Sequence, residues 1–489
     1  MKSEEIDYSR PLECDVAIAG AELGGLVAGA ILARAGRSVV VVDAPPLPGG
    51  RSGSYPHRGY WIDGGHRLGR DTADMQVTLG YTRKAAREAG VEVQVQPVRT
   101  GLRIHLVPGD ASTPPDVLEP ADWGPEGFAR LAVRGFGCAP EDLAEFTRTI
   151  ERLGGSSPAE RERATGIQLG DWMEAEVPNP SVRRALGNLV KSLYSEFPER
   201  ASLGRLIDML AGFTQRDASG GAQSGFADDP EVGGMGGVSA PFTRALEAHG
   251  GRLVMEHEPA HVTFDGARAS GLVALSANHF ALRVRARHTI VAYPIWDALE
   301  MLPPERVDPE LARTCEAIED YRAIAIGWVV GLKRMPRVRA SGRSEDFDGW
   351  NRLLVGPERE FSGGYHFPSL GSSRAAPEGR HLMHAFIMRW VRSGENRPWP
   401  ELEATLERAR AYIRTYYADL DECIEWQADQ YIRRPAMTGW YWAPVKRHPV
   451  AVPGCENLYF AGATAESDAG PSEISAHAGL KAARAILES

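Results

Sequence analysis

The sequence predicts an α/β fold, and three observations lead to this prediction. A short apolar strand at residues 16–19 is followed by a glycine-rich turn and an apolar helix. A second apolar strand, at residues 39–42, ends at an acidic residue. Strand and helix patterns of the same kind return near residues 253–292 and 458–487, after long intervening stretches. This order predicts one sheet-and-helix domain assembled from separated pieces of chain.

The first strand, turn and helix form a βαβ unit of the Rossmann type. Asp43 lies about 20 residues beyond the turn. In Rossmann units an acidic residue at this position accepts hydrogen bonds from the hydroxyls of a nucleotide ribose. The usual G-x-G-x-x-G pattern is interrupted, because Glu22 replaces its middle glycine. Glu22 adds bulk and negative charge where the backbone must approach a pyrophosphate. The glycines that remain in the turn are Gly20, Gly24 and Gly25.

The interrupted order of these pieces predicts two domains with no linker between them. The first is a discontinuous Rossmann-like nucleotide-binding domain, made from residues 1–74, 228–298 and 446–489. The second is an inserted α+β substrate domain, made from residues 75–227 and 299–445. Residues 75–216 carry mainly helical patterns, whereas residues 300–445 mix strands with a helix.

Composition and charge exclude several classes of partner. The net charge is −10 and Lys and Arg form no blocks, so we expect no nucleic acid. No apolar run is long enough to span a membrane, and the charged N-terminus lacks the apolar core of a signal peptide. The five cysteines are scattered, which favours a reducing, cytoplasmic location. We expect a small-molecule substrate, and the sequence leaves a homo-oligomer or a partner protein open.

Motifs for several other chemistries are missing. The sequence has no G-x-S-x-G, H-E-x-x-H, G-x-x-x-x-G-K-[ST] or C-x-x-C pattern. A serine hydrolase, a zinc enzyme and a P-loop ATPase are therefore not predicted, and neither is a metal site. No acid–base pair stands out in the sequence, so a catalytic acid or base is not assigned.

Five segments, in order, resemble the FAD-dependent oxidoreductase superfamily of amine oxidases and phytoene desaturases/carotenoid isomerases. Gly49-Gly50-Arg51 resembles its G-G-R motif, and Asp63-Gly64-Gly65-His66 resembles the D-x-G-x motif that follows. Residues 233–237 (GGMGG) are similar to the second nucleotide-contacting segment. FPSLGSSRAAPEGRHLMHAF, at residues 367–386, is especially like phytoene desaturases and carotenoid isomerases. LYFAGATAESDAG, at residues 458–470, is like the last FAD-contacting strand and loop.

The resemblance implies an FAD-type fold, FAD as the cofactor and a set of site residues. The implied cofactor-binding positions that match the motifs are Gly20, Gly24, Gly25, Asp43, Gly50, Arg51, Gly462 and Ala463. Amine oxidases build an aromatic cage above the flavin ring, and the run at residues 440–442 falls in the corresponding place. The residues of this run, Trp440, Tyr441 and Trp442, are the candidate catalytic residues.

Two departures set this chain apart from the superfamily. The first is Glu22. The second lies in the tail, where Glu473 or Ile474, depending on the alignment, replaces a glycine that lets a helix approach the flavin. Two functions therefore remain open. One is an FAD-linked desaturase or oxidase acting on a mainly apolar small molecule, such as a polyene, an isoprenoid or an alicyclic compound, with an amine as a further substrate. The other is a flavin-free member of the fold that performs isomerisation, dehydration or cyclisation, or binds a partner.

Overall fold

The computed structural model describes residues 6–64, 80–97, 99, 101–107, 116–122, 124–193, 197–214, 225–356, 362–391, 397–432, 441–467, 469 and 473–489. Its strands are β1 Leu12–Ala19, β2 Val39–Val42, β3 Ser54–His57, β4 Tyr60–Asp63, β5 Val95–Pro97, β6 Leu102–Val107, β7 Asp116–Leu118, β8 Gly225–Ala227, β9 Arg252–Val254, β10 His257–Asp265, β11 Arg268–Ser276, β12 Ala281–Val291, β13 Ala323–Leu332, β14 Trp350–Val355, β15 Ser362–His366, β16 His381–Trp390, β17 Ile424–Ile432 and β18 Leu458–Phe460. Its helices are α1 Leu23–Arg34, α2 Gly80–Ala89, α3 Pro125–Arg130, α4 Leu143–Gly154, α5 Pro158–Ala164, α6 Leu169–Glu176, α7 Pro180–Ser192, α8 Leu203–Thr214, α9 Gly236–Ala248, α10 Ile295–Glu300, α11 Pro309–Glu319, α12 Trp399–Tyr416, α13 Leu420–Cys423 and α14 Ile474–Glu488.

The first sheet confirms the predicted α/β fold class with a discontinuous Rossmann-like unit. Its strand order is β10-β11-β12-β1-β2-β9, and β18 pairs with β12. The pairs β1–β2, β1–β12, β2–β9 and β12–β18 are parallel, as expected for strands joined by crossover helices. The strands of this sheet come from three distant stretches of chain. The exact domain boundaries stay a prediction.

Helix α1 packs tightly against the first sheet and against α14. Residues 23–33 of α1 are all buried. Gly479 of α14 lies so close to α1 that a Cβ built on it would be 2.2 Å from the carbonyl oxygen of Gly24. The crossing of these two helices therefore requires a residue without a side chain.

The second sheet has the order β17-β13-β16-β15-β14-β6-β7. One face packs on α12, with Ile326 and Ile387 in the same apolar cluster as Leu406 and Ile413. The other face, here called the inner face, carries Trp350, Phe386 and Met388. These three side chains belong to the large core cluster that also contains residues of the first sheet and of the helical segments.

The hairpin of β3 and β4 connects the two sheets. Tyr60 of β4 is buried in a cluster with Val329, Leu382 and Trp426 of the second sheet. The side-chain amide of Gln430 donates a hydrogen bond to the main-chain oxygen of Asp63, at 2.8 Å. The end of β4 is thereby held against the inner face.

Residues 75–216 are largely helical where the structure describes them, as predicted, but they also contain strands. β6 is an inner strand of the second sheet, parallel to β14. The sequence pattern did not predict this strand. Within the described residues, no helix has both the length and the apolar character needed to cross a membrane.

Candidate functional site

The glycine turn after β1 is shaped by close packing of the backbone. Gly20 has a φ of +101°, a conformation that favours glycine. A Cβ on Gly25 would lie 2.0 Å from the oxygen of Gly20, and a Cβ on Gly24 would lie 2.0 Å from the oxygen of Ala461. These glycines let α1 begin directly against the ends of β1 and β18, so packing alone requires them, with or without a nucleotide.

Glu22 occupies the N-cap position of α1 and its side chain is turned inward. The residue is 8% exposed, and its carboxylate Oε2 lies 3.8 Å from Nη2 of Arg51. Its Cγ lies 2.6 Å from the position that a Cβ on Gly50 would take. Burial raises the pKa of Glu22 to about 7, with Arg51 acting in the opposite direction and Asp43 adding to the rise. Glu22 therefore fills the space between the turn and the Gly50-Arg51 segment.

Asp43 is buried at the end of β2, and both of its carboxylate oxygens accept hydrogen bonds from the protein. The main-chain N–H of Ala21 donates to Oδ2 at 2.7 Å. The hydroxyl of Tyr293 donates to Oδ1 at 2.6 Å, and the N–H of Ala44 donates to the same atom at 2.9 Å. Burial raises the pKa of Asp43 against the lowering effect of these donors. The predicted ribose acceptor is thus engaged by the chain itself.

Tyr293 was not identified from the sequence as a site residue. It lies two residues beyond the end of β12, and the carboxyl end of β12 meets the glycine turn because β12 is parallel to β1. The ring carbon Cε1 lies 3.2 Å from the position of a Cβ on Gly20. Burial and the nearby Asp43 raise the pKa of Tyr293 well above 10, so the hydroxyl remains a donor. The sequence signal that could have identified Tyr293 is a tyrosine just beyond the end of a strand that pairs in parallel with β1.

The altered tail residues point into the protein. Glu473 is 1% exposed, and its carboxylate accepts hydrogen bonds from the main-chain N–H groups of Gly80 at 3.1 Å and Thr82 at 2.8 Å. It therefore caps the N-terminus of α2, where a helix has unsatisfied N–H donors and favours negative charge. Ile474 is fully buried at the start of α14.

The remaining tail positions lie at the end of β18. A Cβ on Gly462 would be 1.9 Å from the main-chain oxygen of Tyr293, so the chain passes too closely there for a side chain. Ala463, the next residue, is buried. Gly462 thus brings the final loop into contact with the segment that carries Tyr293.

The candidate catalytic run lies partly outside the described residues, since these do not include Trp440. Tyr441 is half-buried, and the centroid of its ring lies 5.2 Å from the guanidinium carbon of Arg205 and 5.1 Å from that of Arg447. Trp442 is buried, and its main-chain oxygen accepts a hydrogen bond from Ser202 just before α8. The structure therefore brings Tyr441 and Trp442 against the helical segment that begins at α8, and their catalytic role stays a prediction. Gly65 and His66 of the D-x-G-x motif also lie outside the described residues.

Comparison with known proteins identifies the family. The family model described as flavin containing amine oxidoreductase matches residues 23–487. The chain belongs to this family. A curated relative, the chloroplastic prolycopene isomerase of Arabidopsis thaliana, is 22% identical over 442 residues, which cover 82% of this chain and 67% of the relative.

Solved structures share the fold of this flavin-containing amine oxidoreductase family member. An oxidoreductase from Methanosarcina mazei has a TM-score of 0.67 at 15% identity, covering 97% of this chain and 100% of the other. Putrescine oxidase, solved with putrescine bound, has a TM-score of 0.63 at 15% identity, covering 98% of this chain and 100% of the other. At these identities the likeness establishes the fold alone.

The family's flavin nucleotide can be tested against the residues that would hold it. A ribose needs hydroxyl acceptors, but Asp43 already accepts from Ala21, Ala44 and Tyr293. A pyrophosphate needs positive charge, but Arg51 faces the carboxylate of Glu22. Above a pH of about 7, where Glu22 is ionised, a second anion beside it would be repelled in a buried pocket, where charges interact more strongly than in water. As these residues stand, Tyr293 and Glu22 contact Asp43 and Arg51, the two side chains that would hold a dinucleotide.

Proposed function

We propose that this family member performs flavin-independent, redox-neutral chemistry on a mainly apolar small molecule, of the type of an isomerisation, dehydration or cyclisation. One observation carries the proposal. The hydroxyl of Tyr293 takes the place of a ribose hydroxyl on Asp43, and the carboxylate of Glu22 takes the place of a phosphate beside Arg51. Without a bound flavin, a hydride acceptor is not supplied by this fold, so reactions that conserve the oxidation state are favoured.

The class of substrate is supported by the inner face of the second sheet. Trp350, Leu354, Phe386 and Met388 are apolar side chains of this face, and all four are buried in the large core cluster. An apolar lining of this kind would suit a hydrophobic substrate. The name of the curated relative, a prolycopene isomerase, agrees with isomerisation of an unsaturated hydrocarbon.

The second candidate is an FAD-linked desaturase or oxidase. It is favoured by the retained residues Gly24, Gly25, Asp43 and Arg51 and by the family to which the chain belongs. In that case the side chains of Glu22 and Tyr293 would have to leave the pocket on binding. Tyr293 would give up its 2.6 Å hydrogen bond to a buried carboxylate to do so.

Product mass separates the two candidates. Purified protein is incubated under nitrogen with a panel of cis-polyenes and cyclic isoprenoids, with and without added FAD and a quinone acceptor. The proposal expects a product of unchanged mass, or one that has lost water, without dependence on FAD. A product lighter by two hydrogens, formed only with FAD and acceptor, would establish the FAD-linked function instead.

A further inference from the structure

Three buried side chains from distant parts of the chain converge on the inner face of the second sheet. Asp63 ends β4, His366 ends β15 and His384 lies in β16. One potential ligand atom from each lies within 4.8 Å of those of the other two. The exposed fractions are 4% for Asp63, 1% for His366 and 2% for His384. We name these three residues the His₂Asp cluster.

The backbone fixes the two histidines on one side of the sheet. His366 and His384 are directly opposite partners in the antiparallel pair β15–β16. Opposite residues of such a pair point to the same face, with their Cβ atoms about 4.5–5.5 Å apart. This register places two imidazoles side by side without any rearrangement of the backbone.

Hydrogen bonds fix the carboxylate of Asp63. Its Oδ1 accepts from the hydroxyl of Ser54 at 2.7 Å and from the main-chain N–H of Met235 at 2.8 Å. A Cβ on Gly234 would lie 2.3 Å from the same oxygen. The glycine-rich segment 233–237, which resembles a nucleotide-contacting segment, therefore packs closely against Asp63 and directs the N–H of Met235 to it.

Gln430 orients both Asp63 and His384. Its Nε2 donates to the main-chain oxygen of Asp63 at 2.8 Å, and its Oε1 lies 2.9 Å from Nε2 of His384. Because the amide nitrogen faces a carbonyl, the amide oxygen faces the ring, so Nε2 of His384 carries the hydrogen. The lone pair of His384 then lies on Nδ1. A metal-binding histidine characteristically donates its other ring N–H to an oxygen acceptor in this way.

Two aromatic rings flank His366. The ring of His366 stacks on that of Phe226, with centroids 6.0 Å apart, and meets that of Trp350 edge-on at 5.6 Å. An apolar shell of this kind limits water around a site and keeps its ligands in place.

We propose that the His₂Asp cluster binds one divalent first-row transition metal ion, a site that the sequence analysis did not predict. Ligand atoms that share one tetrahedral ion are about 3.3–3.6 Å apart, given metal–ligand distances of about 2.0–2.2 Å. Binding would therefore draw the three side chains of the cluster together by up to about 1.5 Å. Two histidines and one carboxylate leave coordination positions for water or substrate, as in catalytic zinc and non-haem iron sites.

The proposal goes beyond the proposed function and does not depend on it, because none of the three ligands belongs to the Glu22, Asp43 and Arg51 pocket. Presence or absence of flavin therefore does not decide this test. The sequence could not show the cluster by spacing, since Asp63 is about 300 residues from the two histidines.

The test is a Co²⁺ titration of the full chain after treatment with a chelator, followed by the visible absorption of the bound ion. We expect one saturable site per chain. Asp63→Asn and His384→Ala should abolish it, and Gln430→Leu should weaken it about tenfold to hundredfold. His381→Ala is the matched control, because His381 is half-buried in β16 but lies outside the cluster.

Two results would overturn the proposal. One is a wild-type chain with no saturable Co²⁺ site. The other is an Asp63→Asn or His384→Ala variant that retains the wild-type affinity, which would mean that the ion binds elsewhere. Circular dichroism of each variant, recorded without metal, shows whether the variant folds. If a ligand variant does not fold, Gln430→Leu decides, because its unchanged affinity would equally contradict the assigned site.

Discussion

At the scale of single residues, two acids share one buried pocket. Burial raises the pKa of Glu22 and that of Asp43. Asp43 raises the pKa of Glu22 further, and both acids raise the pKa of Tyr293. The pocket tolerates them because Arg51 faces one and Tyr293 donates to the other. A nucleotide would have to compete with both contacts, which is why the substitution at one glycine position has consequences across the whole pocket.

The raised pKa of Glu22 predicts a pH-dependent stability. A carboxyl with a pKa of 4.5 when unfolded and about 7 when folded stabilises the fold below pH 4.5, and this contribution is lost as pH rises through 7. At about 1.4 kcal/mol per pKa unit, the loss approaches about 3 kcal/mol. Glu22→Gln cannot ionise, so its unfolding free energy relative to wild type should rise between pH 5 and pH 8. Urea unfolding of both proteins at several pH values measures this. A difference that does not change with pH would contradict a buried Glu22.

Substitutions in the pocket should restore nucleotide binding only in combination. Glu22→Gly removes the charge beside Arg51, but it leaves Asp43 engaged by Tyr293. We expect Glu22→Gly with Tyr293→Ala to bind FAD about tenfold to hundredfold more tightly than wild type, equivalent to about 1–3 kcal/mol. Titration with FAD at low salt measures this, with each single variant as a control. Equal affinity of all four proteins would show that these side chains do not control the pocket.

At the scale of elements, the helix crossing of α1 and α14 depends on a glycine. Gly479→Ala would place a Cβ 2.2 Å from a backbone oxygen of α1, so we expect a loss of about 1–3 kcal/mol of stability. Gly187→Ala in α7 is the matched control. A Cβ there would be 3.6 Å from Pro198, an ordinary contact, and alanine should add about 0.5–1 kcal/mol through its helix propensity. Chemical denaturation compares the two. Equal effects would contradict the close crossing.

Glu473 joins the tail to α2 through a side-chain cap. Glu473→Ala would leave the N–H groups of Gly80 and Thr82 without this acceptor, so we expect a loss of about 0.5–2 kcal/mol. Glu488→Ala, at the exposed C-terminal end of α14, should change stability by less than about 0.5 kcal/mol. Thermal unfolding of the two variants tests the difference. A stable Glu473→Ala variant would place the carboxylate away from α2.

The same elements show what a sequence can and cannot predict. The strand at 39–42 and the helix α1 were located correctly, because continuous apolar runs bounded by glycine and charge give a strong signal. β6 was missed because Arg103 and His105 interrupt its apolar pattern, although both are buried. They are held by Glu345 and Asn351, far away in the chain, at 2.8 Å and 3.1 Å. Contacts with distant partners, such as Tyr293 with Asp43, have no local signature.

At the scale of the whole molecule, one fold carries two separate polar centres. The first sheet keeps the architecture of a nucleotide domain, while its own side chains engage the residues that would bind the nucleotide. The second sheet and the β3–β4 hairpin assemble the His₂Asp cluster on the inner face. Close packing at Gly24, Gly25 and Gly479 joins the elements around the first sheet through contacts between protein atoms.

Flavin content is the most direct measurement of the central claim that the nucleotide pocket is filled by Glu22 and Tyr293. The full chain is expressed in cells supplied with riboflavin, purified, and denatured, and the released flavin is quantified by its fluorescence per mole of protein. Wild-type protein is also titrated with FAD after purification. We predict a colourless protein that releases no flavin and binds added FAD only weakly. Release of one flavin per chain, or tight stoichiometric binding of added FAD, would contradict the account.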